Sequence, residues 1–260
     1  MASLFELFVA AVLPCLVLLW FIIRRDRYER EPFRMLLVTF VLGALSIIPA
    51  VILELFLSSV LPVPADPFSD VVGLILHNLI VIAVVEESCK LVATLYAYRS
   101  REFNEPMDGI VYATTASMGF ASVENVLYVL SGGWLVALFR ASLSVPGHAF
   151  FGATMGFYLG RSKFDPRARP RILALAVPIG LHTIYDLIVS LGLGVLSLAL
   201  AALFILLLYR RVNREIKIVD ETSPHEHRQV RFCIHCGSRL SQGCQYCPTC
   251  DGSQTNANSA

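Results

Sequence analysis

The sequence predicts an all-α polytopic membrane protein. It has about seven transmembrane helices, an external N-terminus, a cytoplasmic C-terminus and a small zinc ribbon after the last span. Three observations predict this. Of 260 residues, 56% are hydrophobic and 16% charged, where an average soluble chain carries about 25% charged residues. The apolar residues form runs of about 20, the length that crosses a bilayer. Lys and Arg collect in alternate gaps between those runs. A net charge of +1 says little, because the charges sit in blocks. Disordered, collagenous and ordinary cytosolic proteins are excluded.

Seven spans are expected, at 4–23, 34–60, 70–98, 107–131, 133–160, 171–191 and 193–210. No β-barrel alternation appears, so the spans are read as helices, which satisfy their own backbone in lipid. The first span has no basic n-region and no A-x-A-like end, so it is read as retained rather than as a signal peptide. Arg24, Arg25, Arg27, Arg30 and Arg34 follow it. Arg99 and Arg101 follow span 3, and Arg161, Lys163, Arg167, Arg169 and Arg171 follow span 5. Arg210, Arg211, Arg214 and Lys217 follow span 7. The gaps at 61–69, 131–133 and 191–193 hold no Lys or Arg. An odd number of spans satisfies this alternation, and the basic side is cytoplasmic. The Pro-rich segment 61–69 is an external turn.

After residue 211 the composition turns polar. A charged cytoplasmic linker is expected over 212–231, a zinc ribbon over 232–252 and a disordered tail over 253–260. The ribbon rests on Cys233-Ile234-His235-Cys236, ten intervening residues, and Cys247-Pro248-Thr249-Cys250. Two C-x-x-C knuckles offer four thiolates for structural zinc. Cys244 is a spare that could replace Cys247. A reducing compartment argues against disulfides. A ribbon of this size positions partners or regulates, so a cytoplasmic protein partner is expected and no nucleic acid.

Ionisable residues at membrane depth mark function by default. Span 3 carries Glu86, Glu87 and Lys90; span 4 carries Glu124 and Asn125. Span 5 carries Arg140 and His148; span 6 carries His182 and Asp186. Glu86 and Lys90 share a helix face, as do His182 and Asp186, both at i,i+4. Glu87 turns about 100° away from Glu86. One glutamate can face a substrate while the other braces the helix. Asp186 can orient the His182 ring. Arg140 needs an acid, and Glu124 lies at a comparable depth. That pair would be structural or catalytic, and His148 a satisfied core histidine or a donor. His77 reads as a packing residue near the outer surface, Asp108 as an N-cap, and Cys15 and Cys89 as small apolar residues. Gly152 to Gly156 and Gly156 to Gly160 read as close helix packing. The chemistry that suits this set is water activation by a glutamate, with histidines and Asn125 donating to a developing oxyanion. There is no G-x-S-x-G and no H-E-x-x-H.

These motifs closely resemble the PrsW family of intramembrane proteases, from about Leu13 to Arg211. The resemblance includes Arg27-Tyr28-Glu29-Arg30-Glu31-Pro32, Glu86-Glu87-Ser88-Cys89-Lys90 and Asp108-Gly109-Ile110-Val111-Tyr112-Ala113. It continues through Met118 to Tyr128, Pro146-Gly147-His148-Ala149, Met155 to Gly160, and His182-Thr183-Ile184-Tyr185-Asp186. In plan the family is similar to the CAAX prenyl proteases and bacterial self-immunity proteins. Glu86-Glu87 and His182-x-x-x-Asp186 match two motifs of that superfamily. Phe120-x-x-x-Glu124 departs, with glutamate where histidine is usual, and His148 could supply the imidazole. The resemblance implies a glutamate-type, metal-independent endopeptidase of the cytoplasmic membrane that cuts a single-pass protein, as an anti-sigma factor is cut at its external site. It implies Glu86 as the water-activating base, Glu87 as its companion and His182 as oxyanion donor or orienter. The alternatives are a zinc metalloprotease using His148, His182 and Glu124 or Glu86, and a transporter or proton relay.

Overall fold

The computed structural model describes residues 3–26, 29–165, 171–223, 231–240, 244 and 246–253. Six helical runs among them are long and apolar enough to cross a membrane. They are Leu4–Ile23, Phe33–Val60, Val71–Tyr98, Pro106–Phe164, Leu173–Ser190 and Val195–Asp220. The fourth, at 59 residues, is twice the length one crossing needs. It folds back on itself at Gly133, whose φ of 70° breaks the helical backbone. Pro106 meets Gly160, Gly109 meets Gly156 and Ser117 meets Gly152, pairs arranged symmetrically about that turn. The run therefore crosses twice, and the described chain crosses seven times, as its pattern of apolar runs predicts. Large apolar side chains such as Leu55, Leu135 and Val195 stand outward, where lipid covers them.

α1 is Leu4–Ile23, started by a Ser3/Glu6 capping box. Its buried stripe Ala11, Cys15, Leu19 and Ile22 faces the core. Span 2 is broken at Ser46 into α2, Phe33–Leu45, and α3, Ile47–Val60. Pro49 sits in the first turn of α3, where its missing N–H costs least. Span 3 is α4, Val71–Leu76, then a π-helical segment His77–Ala83, then α5, Val84–Tyr98. α6, Pro106–Phe139, passes through the Gly133 turn into a second π segment, Arg140–Ser144, and α7, Val145–Phe164. α8 is Leu173–Ser190 and α9 is Val195–Asp220.

The inner half of α6 is the centre of the molecule: Met107 to Ala121 is buried throughout. Small residues make that possible. A Cβ added at Gly156 would overlap the Gly109 carbonyl, so the two backbones touch. Without a hydrophobic force between helices in lipid, such contact is what joins them.

The basic chain ends gather at one end. Arg25 donates to Asn213 at 3.2 Å, and Lys163 donates to the carbonyls of Tyr98 and Phe103, both at 2.9 Å. Arg27, Arg167 and Arg169 lie outside the described residues. At the opposite end His77 Nδ1 meets the Leu61 carbonyl at 2.7 Å. Two expectations need correction here. Asp108 is not the N-cap of α6. Glu105 holds that place, and Asp108 accepts the N–H groups of Asn104 and Glu105 from the third helical position. Beside it, burial and then Asp108 push the Glu31 carboxyl up to about 10, and the Tyr112 hydroxyl donates to it. The charged linker expected from residue 212 begins as helix: α9 runs to Asp220 with Val212, Ile216 and Val219 buried. An apolar stripe at helical spacing persists there beneath the charges. Residues 224–230, and the tail beyond Ser253, lie outside the described residues.

Candidate active site

Four elements bring the buried ionisable residues together at mid-depth. The π segments precede two of the contributing stretches, His77–Ala83 before Glu86 and Arg140–Ser144 before His148. One extra residue in a turn rotates everything after it, and such turns recur at functional sites.

Lys90 is the hub. Its ammonium, wholly buried, donates to Glu86 Oε2 at 2.8 Å, Glu87 Oε1 at 2.9 Å and His148 Nδ1 at 3.1 Å. An ammonium has three N–H donors and no acceptor, so all three are used and His148 Nδ1 is an acceptor. The His148 proton is then on Nε2, which meets Glu124 Oε2 at 2.9 Å. The Arg140 guanidinium reaches the same carboxylate at 2.9 Å. His182 Nδ1 donates to Glu87 Oε1 at 2.9 Å, while its Nε2 faces Asp186 Oδ2 at 3.3 Å and Glu86 Oε2 at 4.0 Å. Thus Glu87, more closely than Asp186, holds the ring. The His182 and Phe151 rings stack at 5.0 Å.

A cavity of about 520 Å³ opens beside this network. Glu86, Glu124, Arg140, His148, His182 and Asp186 line it, and Ser131 and Ser190 mark its outer rim. Glu87 and Lys90 stand behind the wall. Asn125, expected as an oxyanion donor, is consumed elsewhere. Its amide donates to the Ala11 carbonyl at 3.2 Å and accepts from Arg140 Nε. It ties Arg140 to α1 instead of facing the cavity. Sequence reasoning did not single out Glu54, Tyr128, Ser144 and Tyr185, which also line the cavity. Tyr185 and Ser144 pair at 3.0 Å, and Arg140 lies 4.3 Å over the Tyr128 ring. Glu54 carried a signal as the lone acid of its apolar run, and Tyr128 and Tyr185 stand within the quoted motifs.

The ligand atoms of Glu86, Glu87 and His182 lie within 4.8 Å of one another, as do those of Glu86, Glu124 and His148. The Sγ atoms of Cys233, Cys236, Cys247 and Cys250 do so too. The Cys233–Cys250 and Cys236–Cys247 sulfurs are 3.5 and 3.6 Å apart. His235 and Cys236 N–H groups point at Cys233 Sγ, and Thr249 N–H at Cys247 Sγ, each at 3.4 Å. Four thiols so placed can bind a metal ion, and Cys244 is outside the group. Strands β1, Arg231–Phe232, and β2, Arg239–Leu240, pair antiparallel around the first knuckle.

The family model described as PrsW family intramembrane metalloprotease matches residues 31–209. Protease PrsW of Geobacillus kaustophilus is 36% identical over 185 residues, 70% of this chain and 79% of the relative. The Halalkalibacterium halodurans protein of that name is 36% identical over 191 residues, 72% of this chain and 85% of the relative. That of Bacillus subtilis is 33% identical over 190 residues, 72% and 84% of the two chains. No solved structure matches significantly. With its paired glutamates, its two histidines and seven crossings around one polar cavity, the chain belongs to the PrsW family of intramembrane proteases.

Proposed function

We propose that the chain hydrolyses a peptide bond of a single-pass membrane protein, near the outer face, with Glu86 activating the water. The observation that carries this is the division of labour between neighbouring glutamates. Glu86 lines the cavity, whereas Glu87 is turned back onto Lys90 and His182. Glu86 takes a proton from water held between it and the substrate carbonyl. His182, oriented by Glu87, turns Nε2 towards the forming oxyanion and donates when it carries a proton there. Arg140 and His148 hold Glu124 on the facing wall. The cavity reaches Ser131 and Ser190, so the cut falls where a span emerges externally. An anti-sigma factor in the cytoplasmic membrane is one substrate of this form. The ribbon takes zinc through its four thiols and binds a cytoplasmic protein. No nucleic acid is proposed.

The test compares wild type with Glu86→Gln at equal membrane levels and sequences the new protein N-termini. New termini at the outer ends of single-pass proteins, made by wild type alone, are expected. Equal sets of termini under several envelope stresses would instead favour a transporter or proton relay.

A metal-dependent reading is favoured by the two Glu/His trios and by the matched family description. The donor set fits best at Glu86, Glu87 and His182, because Glu87 holds the His182 Nδ1–H and leaves Nε2, which faces Glu86 and Asp186, as the ring's ligand atom. An ion there would polarise the carbonyl and acidify its water. At His148 the fit fails, because Lys90 and Glu124 occupy both ring nitrogens. Metal analysis of a Cys233→Ser/Cys236→Ser variant separates the readings. Cleavage that survives chelation, with no metal left, supports Glu86 acting alone. One equivalent retained, with cleavage lost on chelation, supports the metal.

A further inference from the structure

We propose that Glu54 is a positioning residue for the substrate: its carboxyl hydrogen-bonds the backbone of the segment being cut and holds it before Glu86. The inference rests on the peptidase reading and deepens it. Glu54 is the only Asp, Glu, Lys or Arg between Met35 and Val60. An acid facing lipid could be dismissed as snorkelling. Glu54 does not face lipid. It continues the inward stripe of α3 formed by Ile47, Ala50 and Leu57, and it lines the same cavity as Glu86.

Nor is it a structural ion pair. Its Oε1 is buried and has no hydrogen-bond partner, and no cation approaches it within 4.0 Å among the described residues. Glu86, Glu124 and Asp186 line the same cavity, so acids share its wall with Glu54. A leucine would serve packing better at such a place, because an unpartnered buried polar group costs free energy. A substrate segment entering the cavity can supply that partner.

The substrate supplies a suitable one. A span can be cut only where it is unwound, and unwinding leaves one N–H and one C=O per residue unpaired at membrane depth. A carboxyl carrying its proton offers one donor and one acceptor, the complement of a peptide group. A glutamine amide offers the same pair.

The test uses a library of single-pass reporters with randomised outer juxtamembrane residues. It is expressed with wild type, Glu54→Gln, Glu54→Leu, Glu54→Asp or Glu86→Gln, and cut products are identified by their new N-termini. The best-cut reporter is then assayed with each purified full-length protein in proteoliposomes. Glu54→Gln should stay within about threefold of wild-type kcat/KM, and Glu54→Leu should lose about tenfold or more, the scale of one hydrogen bond. The Leu variant should melt no lower than wild type, which separates positioning from misfolding. Full activity of Glu54→Leu would overturn the proposal. So would loss in Glu54→Gln with retention in Glu54→Asp, which would assign Glu54 to a cationic substrate side chain. If no reporter is cut by wild type beyond Glu86→Gln, the peptidase reading itself falls and takes this role with it.

Discussion

Lys90 has no exposed surface, and each of its three donors has a different acceptor: Glu86, Glu87 and His148. Removing it leaves two carboxylates buried without a counter-charge. Lys90→Met should therefore cost about 3–5 kcal/mol, the scale for breaking a buried pair from one side. Thermal unfolding in detergent measures this, and cleavage should vanish with it. Part of this was legible beforehand. Glu86 with Lys90, and His182 with Asp186, follow from helical spacing alone. The choice between Glu86 and Glu87 does not, because adjacent residues differ only by a rotation that neighbouring helices must interpret. Asn125 departs from its expected role for a related reason. An amide beside Glu124 looks available until α1 is seen to hold it through the Ala11 carbonyl. Glu54 has no i±4 partner, so its inward direction appears only when α3 is packed.

At the scale of elements, apolar runs gave the spans to within a few residues, because lipid thickness fixes their length. Their interruptions were invisible. Neither π segment nor the break at Ser46 follows from composition, since each concerns hydrogen-bond register, which no side chain announces. α9 continues past the charges at 210–217, because Val212, Ile216 and Val219 keep a buried stripe beneath them. The small-residue runs of α7 pack against α6 as their spacing predicts, and they carry a test. Gly156→Ala should lower the unfolding midpoint by an amount equivalent to about 1–3 kcal/mol, as overpacking does. Gly180→Ala, with nothing within 4 Å of the added carbon, should leave it unchanged or raise it, since alanine favours helix over glycine.

Across the whole molecule, described basic residues outside the spans, such as Arg25 and Lys163, lie at one end, and the cavity is lined by Ser131 and Ser190 towards the other. The orientation can be checked in intact cells. Ser131→Cys should add labelling by a membrane-impermeant maleimide, whereas Glu221→Cys should label only after permeabilisation. The reverse pattern would invert the topology. The inner half of α6 and α7, closed by glycines touching backbone, has a consequence for the host cell. Hydrolysis needs water at mid-depth, and a water column through the bilayer would conduct protons and discharge the membrane. Between α6 and α7 the backbones touch at Gly109, Gly156 and Gly160, which leaves no room for water along that seam. The same contacts that join the two helices thus also close their seam to protons.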